Sequence, residues 1–392
     1  MSATGSPVRQ SSVRAHNLAL VLQTVANNTN PISRASVAAA TGLTRATVSA
    51  LVDDLVTGAL LTEVDPAPRS GAGRPAVGLT LAPDGPAGLG LEINVDYRAA
   101  CVVDLAGALR HRLVEAGDQR LTDPGTALAA LGRLAARARA LAEADGLTVA
   151  GAALAVPGLV TADGVVRIAP NLGWQDVAVG DLLGDLPVAV DNEANLAALS
   201  ELGTADPPRD FVYISGEIGI GAGIVLDGAL YRGTRGWSGE IGHIPINPDG
   251  PACRCGSRGC LEQYAGQEAV LRAAGVTGVE ELARAAAGGG TAALSALSAL
   301  SAAGGALGTA VAAVVNLLDV KTIVLGGSYA SLVPWLREPI AAEAGRRVLT
   351  AAWSPVLLRA ATFGPDAAMR GAAGSVIRGL LDDPAAWLAR RQ

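Results

Sequence analysis

Three cysteines fall within eight residues, at Cys253, Cys255 and Cys260, and His243 stands ten residues before the first of them. Three thiolates and one imidazole make a Cys₃His set, enough for a closed tetrahedral zinc site. A closed site keeps no coordination position for substrate water, so the expected cofactor, one structural Zn²⁺, stiffens a loop and does no chemistry. The bland alternative is a group of reduced structural cysteines beside a stray histidine. With only four cysteines in the chain, a metal-site pattern outweighs a disulfide framework. The fourth, Cys101, lies in an apolar strand candidate and reads as packed.

The 392 residues allow two or three domains with a sizeable core. Net charge is −6, which argues against a chain that coats nucleic acid along its whole length. Residues 1–75 are slightly basic, with six Arg against Asp53, Asp54, Glu63 and Asp65, on an otherwise acidic chain. That balance suits a local DNA contact. Met1–Gln10 has no apolar core and does not read as a signal peptide. Residues 285–318 carry no charge and are long enough to span a bilayer. They are mostly Ala, Gly and Ser, so a buried helix is expected and no membrane partner.

In residues 1–82, Leu18, Val21, Leu22 and Val25 recur as a helical stripe. Ser33 can cap a second helix through Ala40, Thr41-Gly42-Leu43 makes a turn, and Thr44 can cap a third helix with Val48, Leu51, Val52 and Leu55 inward. This is a helix-turn-helix arrangement. The third helix is expected to enter the major groove, with Arg45 reading guanine O6 and N7. Thr47 and Ser49 are the expected phosphate contacts, and Ser33, Thr44 and Ala46 complete the set on that surface. Leu60–Val64 and Val77–Leu81 read as strands flanking a wing over residues 65–75, where Arg69 and Arg74 are the expected DNA contacts, Arg74 along a minor groove. A small helical protein-interaction module is the alternative reading.

After a linker at Pro83–Pro86, apolar strand candidates alternate with Ala-rich helices: Gly88–Ile93, Ala99–Asp104, Val149–Val156, Val188–Val190, Phe211–Ser215, Ala222–Leu226 and Thr322–Leu325. An α/β body with mixed sheets follows.

Gly239-Glu240-Ile241-Gly242-His243, followed by the cysteine loop and Leu261-Glu262, resembles the signature of the ROK family, named for repressors, open reading frames and kinases. Val156-Pro157-Gly158-Leu159-Val160, Pro170-Asn171-Leu172-Gly173-Trp174, Asp191-Asn192-Glu193-Ala194-Asn195, Gly219-Ile220-Gly221-Ala222-Gly223-Ile224 and Val324-Leu325-Gly326-Gly327 occur in that family's order across residues 85–392. The head resembles its repressor branch. The resemblance implies an actin-like, ribonuclease-H-like two-lobe fold with sugar in the cleft. It implies a first lobe at 83–195 and a second at 196–392, whose C-terminal helix packs back on the first. It also implies sugar contacts at Gly158, Asn171, Asn192, Glu193, Glu240, His243 and Glu262, with His243 touching sugar through one ring nitrogen and zinc through the other. Carboxylates and amides suit vicinal hydroxyls. Asp191-Asn192-Glu193-Ala194-Asn195 is similar to xylose-type repressors, which points to xylose, glucose or a related sugar.

A kinase of this kind needs open phosphate loops. Where the family's first loop reads roughly Asp-Ile-Gly-Gly-Thr, this chain has Glu92-Ile93-Asn94-Val95-Asp96-Tyr97, without the glycines that let backbone N–H groups approach phosphate. Where the second reads Gly-Thr-Gly-Ile-Gly, it has Glu217-Ile218-Gly219-Ile220-Gly221. A carboxylate facing a triphosphate is repulsive. The kinases' catalytic Asp is Glu193 here, and about 1 Å of misplacement can cost on the order of a hundredfold. The expectation is therefore a cytoplasmic, sugar-responsive repressor without catalytic residues. It would bind a palindromic operator as a homodimer, with pairing into tetramers left open. The rival is an ATP-dependent sugar kinase carrying a DNA-binding head. A third reading is a regulator that answers a partner protein.

Overall fold

The computed structural model describes residues 10–65, 77–120, 122–180, 188–204 and 206–390. The head starts with α1 (Gln10–Ala26), β1 (Ile32–Ser33), α2 (Arg34–Thr41) and α3 (Arg45–Thr57). Ser33 accepts the amide of Ser36 and Thr44 that of Thr47, so each helix begins at its side-chain cap. Gly42, at φ +74°, ends α2, and the chain bends by 117° between α2 and α3. Leu18, Val21, Leu22, Val25, Val48, Leu51, Val52 and Leu55 are buried together. β2 (Leu61–Val64) and β3 (Gly78–Leu81) pair antiparallel, and β1 adds to β3. These elements form a winged helix-turn-helix. Arg69 and Arg74 lie outside the described residues.

The first lobe is a mixed five-stranded sheet. It holds β4 (Pro86–Ile93), β5 (Tyr97–Asp104), β6 (Leu109–Ala116), then α4 (Pro124–Ala144) and β7 (Thr148–Val156). A small sheet of β8 (Leu159–Val160), β9 (Val165–Ala169) and β10 (Trp174–Ala178) follows, and β11 (Val188–Asn192) returns to the main sheet in the order β11-β7-β4-β5-β6. β6 alternates half-buried and exposed residues at the sheet edge. α5 (Glu193–Glu201) follows β11 directly.

The second lobe has the order β14-β13-β12-β15-β16. Its elements are β12 (Phe211–Gly216), β13 (Ile220–Leu226), β14 (Ala229–Tyr231), α6 (Glu262–Ala265), α7 (Gln267–Ala274), α8 (Val279–Ala287), α9 (Gly290–Leu318), β15 (Thr322–Gly327), α10 (Tyr329–Arg347) and β16 (Leu357–Ala360). The uncharged run of 285–318 is not one helix: α8 ends at Ala287 and α9 begins at Gly290, because Gly288 and Gly289 break the chain between them. α9 is long and apolar enough to cross a membrane, but 61% of its most apolar window is buried, and Leu300, Leu307 and Val311 sit in the lobe's core. The chain ends with α11 (Ala367–Asp382), which lies on β4, β5, β7 and α5, and α12 (Pro384–Ala389), which meets α1 of the head.

Candidate functional site

The metal-ligand candidates sit on a loop that folds locally. Residues 241–243 form a single 3₁₀ turn, and the bridges Pro245↔Cys260 and Ala252↔Arg258 fold the cysteine segment back on it. The sulfurs of Cys253, Cys255 and Cys260 and a ring nitrogen of His243 lie within 4.8 Å of one another. Cys255 and Cys260 sulfurs are 3.7 Å apart, and Cys253 Sγ is 3.8 Å from His243 Nδ1. An edge of a tetrahedral zinc–thiolate site measures about 3.8 Å for bonds of about 2.3 Å. The Cys255 amide also points at Cys253 Sγ, 3.5 Å away. The donor set therefore fits zinc in number, chemistry and spacing.

His243 turns its other ring nitrogen away from the sulfurs: Nε2 is 3.9 Å from Glu240 Oε2. Glu262, at the start of α6, is held by the same loop, its Oε1 2.8 Å from Cys253 Sγ. Glu240, His243 and Glu262 line one cavity with Gly158, Asn171, Asn192 and Glu193, so the residues implied as sugar contacts converge there from both lobes. Gly158 has φ +106°, and a Cβ there would meet Ile168 O at 2.2 Å. Gly219 leaves the floor open: its Cβ would lie 3.1 Å from Asn171 Nδ2 and 3.7 Å from Glu262 Oε2. Asn192 uses much of its side chain locally. Its Oδ1 caps α5 by accepting from Ala194 and Asn195, and its Nδ2 donates to Gly158 O at 2.9 Å. One amide hydrogen remains for a ligand. Arg254 also lines the cavity, a residue the sequence reasoning passed over because it read this segment only for its sulfurs.

Behind Glu193 the chemistry changes. Glu193 also lines a second cavity with Glu92, Asn94, Tyr213, Ser215, Glu217 and Gly327. Glu92 is 2% exposed; Tyr97 donates its hydroxyl to Oε1 at 2.5 Å, while Oε2 has no close hydrogen-bond partner among the described residues, the Met369 backbone lending the carboxyl only weak support. Burial pushes its carboxyl up to about 7. Burial, with Glu92 and Glu240 adding repulsion, raises Glu193 to about 8, and its Oε2 has no hydrogen-bond partner among the described residues. Glu217 is raised well above the carboxylate range by burial and then by Glu193. Its Oε1 lies 2.7 Å from where a Cβ on Gly327 would stand, over the glycine pair that ends β15. The Tyr97 hydroxyl and Asn94 Nδ2, 3.2 Å apart, close the turn after β4 where an open phosphate loop was absent in sequence. Three buried carboxyls around one space hold their protons to higher pH than usual, so a polyphosphate brought there meets acid O–H groups at low pH and repelling carboxylates only once they ionise.

On the head, Thr44, Arg45 and Ala46 are exposed at the start of α3, and Ser33, Thr47 and Ser49 are half-buried. Thr47 Oγ1 is bonded to Thr44 Oγ1 at 2.9 Å. Arg34, at the start of α2, is tied to Asp53 and Glu63.

Residues 88–378 match the ROK family. The chain belongs to the ROK family. It is 32% identical to the xylose repressor of Bacillus subtilis (strain 168) over 271 residues, covering 67% of this chain and 69% of the repressor. It is 35% identical to a glucokinase of Halalkalibacterium halodurans over 247 residues, 56% of this chain and 74% of the kinase. Among solved structures, a ROK family transcriptional regulator homologous to the E. coli MLC protein superposes with TM-score 0.80 at 27% identity, over 96% of this chain and 99% of the regulator. The ROK glucokinase of Streptomyces griseus, solved with glucose and AMPPNP, superposes with TM-score 0.65 at 27% identity, over 74% of this chain and 98% of the kinase. The body therefore has the actin-like sugar-kinase fold. The regulator extends over the head, and the kinase is spent on the rest.

Proposed function

We propose that this ROK protein is a sugar-responsive transcriptional repressor whose kinase-like body binds a sugar without phosphorylating it. The observation that carries the reading is the division of the cleft. One half gathers amide, carboxylate and imidazole groups suited to hydroxyls; the other buries Glu92, Glu193 and Glu217 together, at the positions where the sequence departs from the phosphate loops and catalytic Asp of the kinases. The repressor names of its relatives and the shared winged head support the same conclusion.

In this reading Asn171 and Gly158 approach the sugar from the first lobe, and Glu240, His243 and Glu262 from the second. A ligand held from both sides changes the angle between lobes. His243, Cys253, Cys255 and Cys260 would hold a structural zinc that fixes the ring of His243 and the position of Glu262. Glu193, protonated near neutral pH, would donate to a hydroxyl instead of abstracting its proton. Arg45 would read a base in the major groove, and a homodimer would set two heads on half-sites about one helical turn apart.

Kinase relatives favour a second reading, a sugar kinase with a DNA-binding head. One experiment separates the two: a gel-shift titration with xylose and glucose, run beside an ATP phosphotransfer assay on the same sugars. Operator affinity that shifts with sugar, and no phosphorylated product, is expected. Unchanged affinity together with turnover that Glu193→Gln abolishes would overturn the repressor reading.

A further inference from the structure

The head does not close its own core. Leu18, Val21, Leu22, Leu51, Leu55 and Leu79 form one cluster with Ile377 and Leu380 of α11 and Trp387 of α12. Trp387, 8% exposed, donates its indole N–H to Gly58 O at 3.0 Å. Gly58 is the residue that ends α3, the helix expected in the major groove. A Cβ on Gly58 would stand 2.1 Å from Leu388 Cδ2. Gln23 of α1 donates to Asp382 at 2.9 Å, at the end of α11. The end of the chain is thus seated between α1 and the foot of α3.

The other end of α11 reaches the cleft through α5. Gly371 sits so close to α5 that a Cβ would meet Leu196 O at 1.7 Å. α5 in turn rests on β13, where a Cβ on Gly223 would meet Ala194 O at 2.5 Å. α5 begins with Glu193, in the cleft wall. Both contacts bring backbone against backbone. Side chains between packed elements absorb small movements by changing rotamer; a main chain lying on a main chain has no such buffer and passes the movement on.

We propose that α5, α11 and α12 form the mechanical linkage between the sugar cleft and the DNA-reading head, with Trp387 and Leu388 delivering the movement to the C-terminal end of α3 at Gly58. The inference rests on the sugar-responsive reading above. Trp387 and Leu388 act here as positioning residues, remote from both ligands.

The test uses the full chain, a duplex selected by that chain from a random-sequence pool, and xylose and glucose as probes. The coupling is the ratio of operator affinities without and with saturating sugar, about 5–150-fold for switches of this kind. Two variants probe the seat. Trp387→Phe keeps an aromatic ring, smaller than the indole, and removes the N–H; Gly58→Ala pushes the flexible end of Leu388 and adds no buried polar group. Both should leave sugar affinity by calorimetry within about twofold of wild type while cutting the ratio at least threefold. Hydrogen exchange should show sugar-induced changes at 193–201, 367–390 and 54–60 in wild type, and in the variants at 193–201 without those at 54–60. Ratios equal to wild type in both variants, or exchange changes at 54–60 that persist, would overturn the linkage. A wild-type ratio of one with sugar bound would overturn the sugar-responsive reading, and the linkage with it.

Discussion

Replacing Glu92 by Gln asks whether the acidic half of the cleft is paid for in stability. The carboxyl is raised from an ordinary 4.5 to about 7, first by burial, against the hydrogen bonds from Tyr97 and Asn94 that favour its charge. The folded chain therefore keeps a proton that the unfolded chain releases as pH rises above 4.5. The stability this proton represents is complete below 4.5 and is lost as pH climbs through 7. The gap corresponds to about 3 kcal/mol at about 1.4 kcal/mol per pH unit. Gln keeps the shape, lets Oε1 go on accepting from Tyr97, and never ionises. Urea denaturation at pH 5, 6, 7 and 8 followed by circular dichroism reads the difference. Wild type should lose about 2–3 kcal/mol relative to Glu92→Gln between pH 5 and 8, and the variant should be the more stable at pH 8. Removing the Glu92 charge also relieves Glu193 and Glu217, whose carboxyls it helps to raise, so the difference reads Glu92 together with these two neighbours. Parallel pH profiles, or a variant less stable than wild type at pH 8, would refute the argument that burial sets this carboxyl.

Elemental analysis should find about one zinc per chain; Cys255→Ala should lower that content and the melting temperature together, and retained metal would exclude this ligand set. Glu240→Gln and Glu262→Gln should each weaken sugar binding by calorimetry at least tenfold, since each removes a charge-assisted acceptor. Arg45→Ala should weaken operator binding by about 1–3 kcal/mol and relax preference at one base pair; unaltered binding in a gel shift would move the reading surface elsewhere. ATP phosphotransfer to xylose or glucose should stay undetectable, and Glu217→Gly alone should not restore it while Asn94 and Tyr97 still close the first loop.

Much of the architecture is legible before any coordinate. The helical stripe of Leu18 to Val25, the caps at Ser33 and Thr44, and the apolar strands from Gly88 to Leu325 each depend on a few neighbouring residues, and the structure has elements there. The strands that escaped are short or of mixed pattern. Leu109–Ala116 carries Arg110, His111, Arg112 and Glu115 because it is a sheet edge facing solvent, and β9 and β10 are short pieces of a small separate sheet. The break between α8 and α9 was hidden by composition, since glycine within an Ala-rich run reads as tolerated until backbone angles show otherwise.

The zinc-type cluster was determined by sequence alone, because its four donors span only 243–260 and a short loop can bring them within 4.8 Å. Glu92, Glu193 and Glu217 could each be read as a departure from a phosphate-binding pattern. That they share one space with raised carboxyls, two of them, Glu92 and Glu193, with an oxygen unpartnered among the described residues, was decided only by tertiary packing. Desolvation depends on everything that surrounds a group, and no local spacing encodes it. The same holds for Trp387 and Gly58, 329 residues apart in the chain and bonded in the fold. Short-range chain geometry wrote the motifs; the packing of α5, α11 and α12 decided what they are connected to.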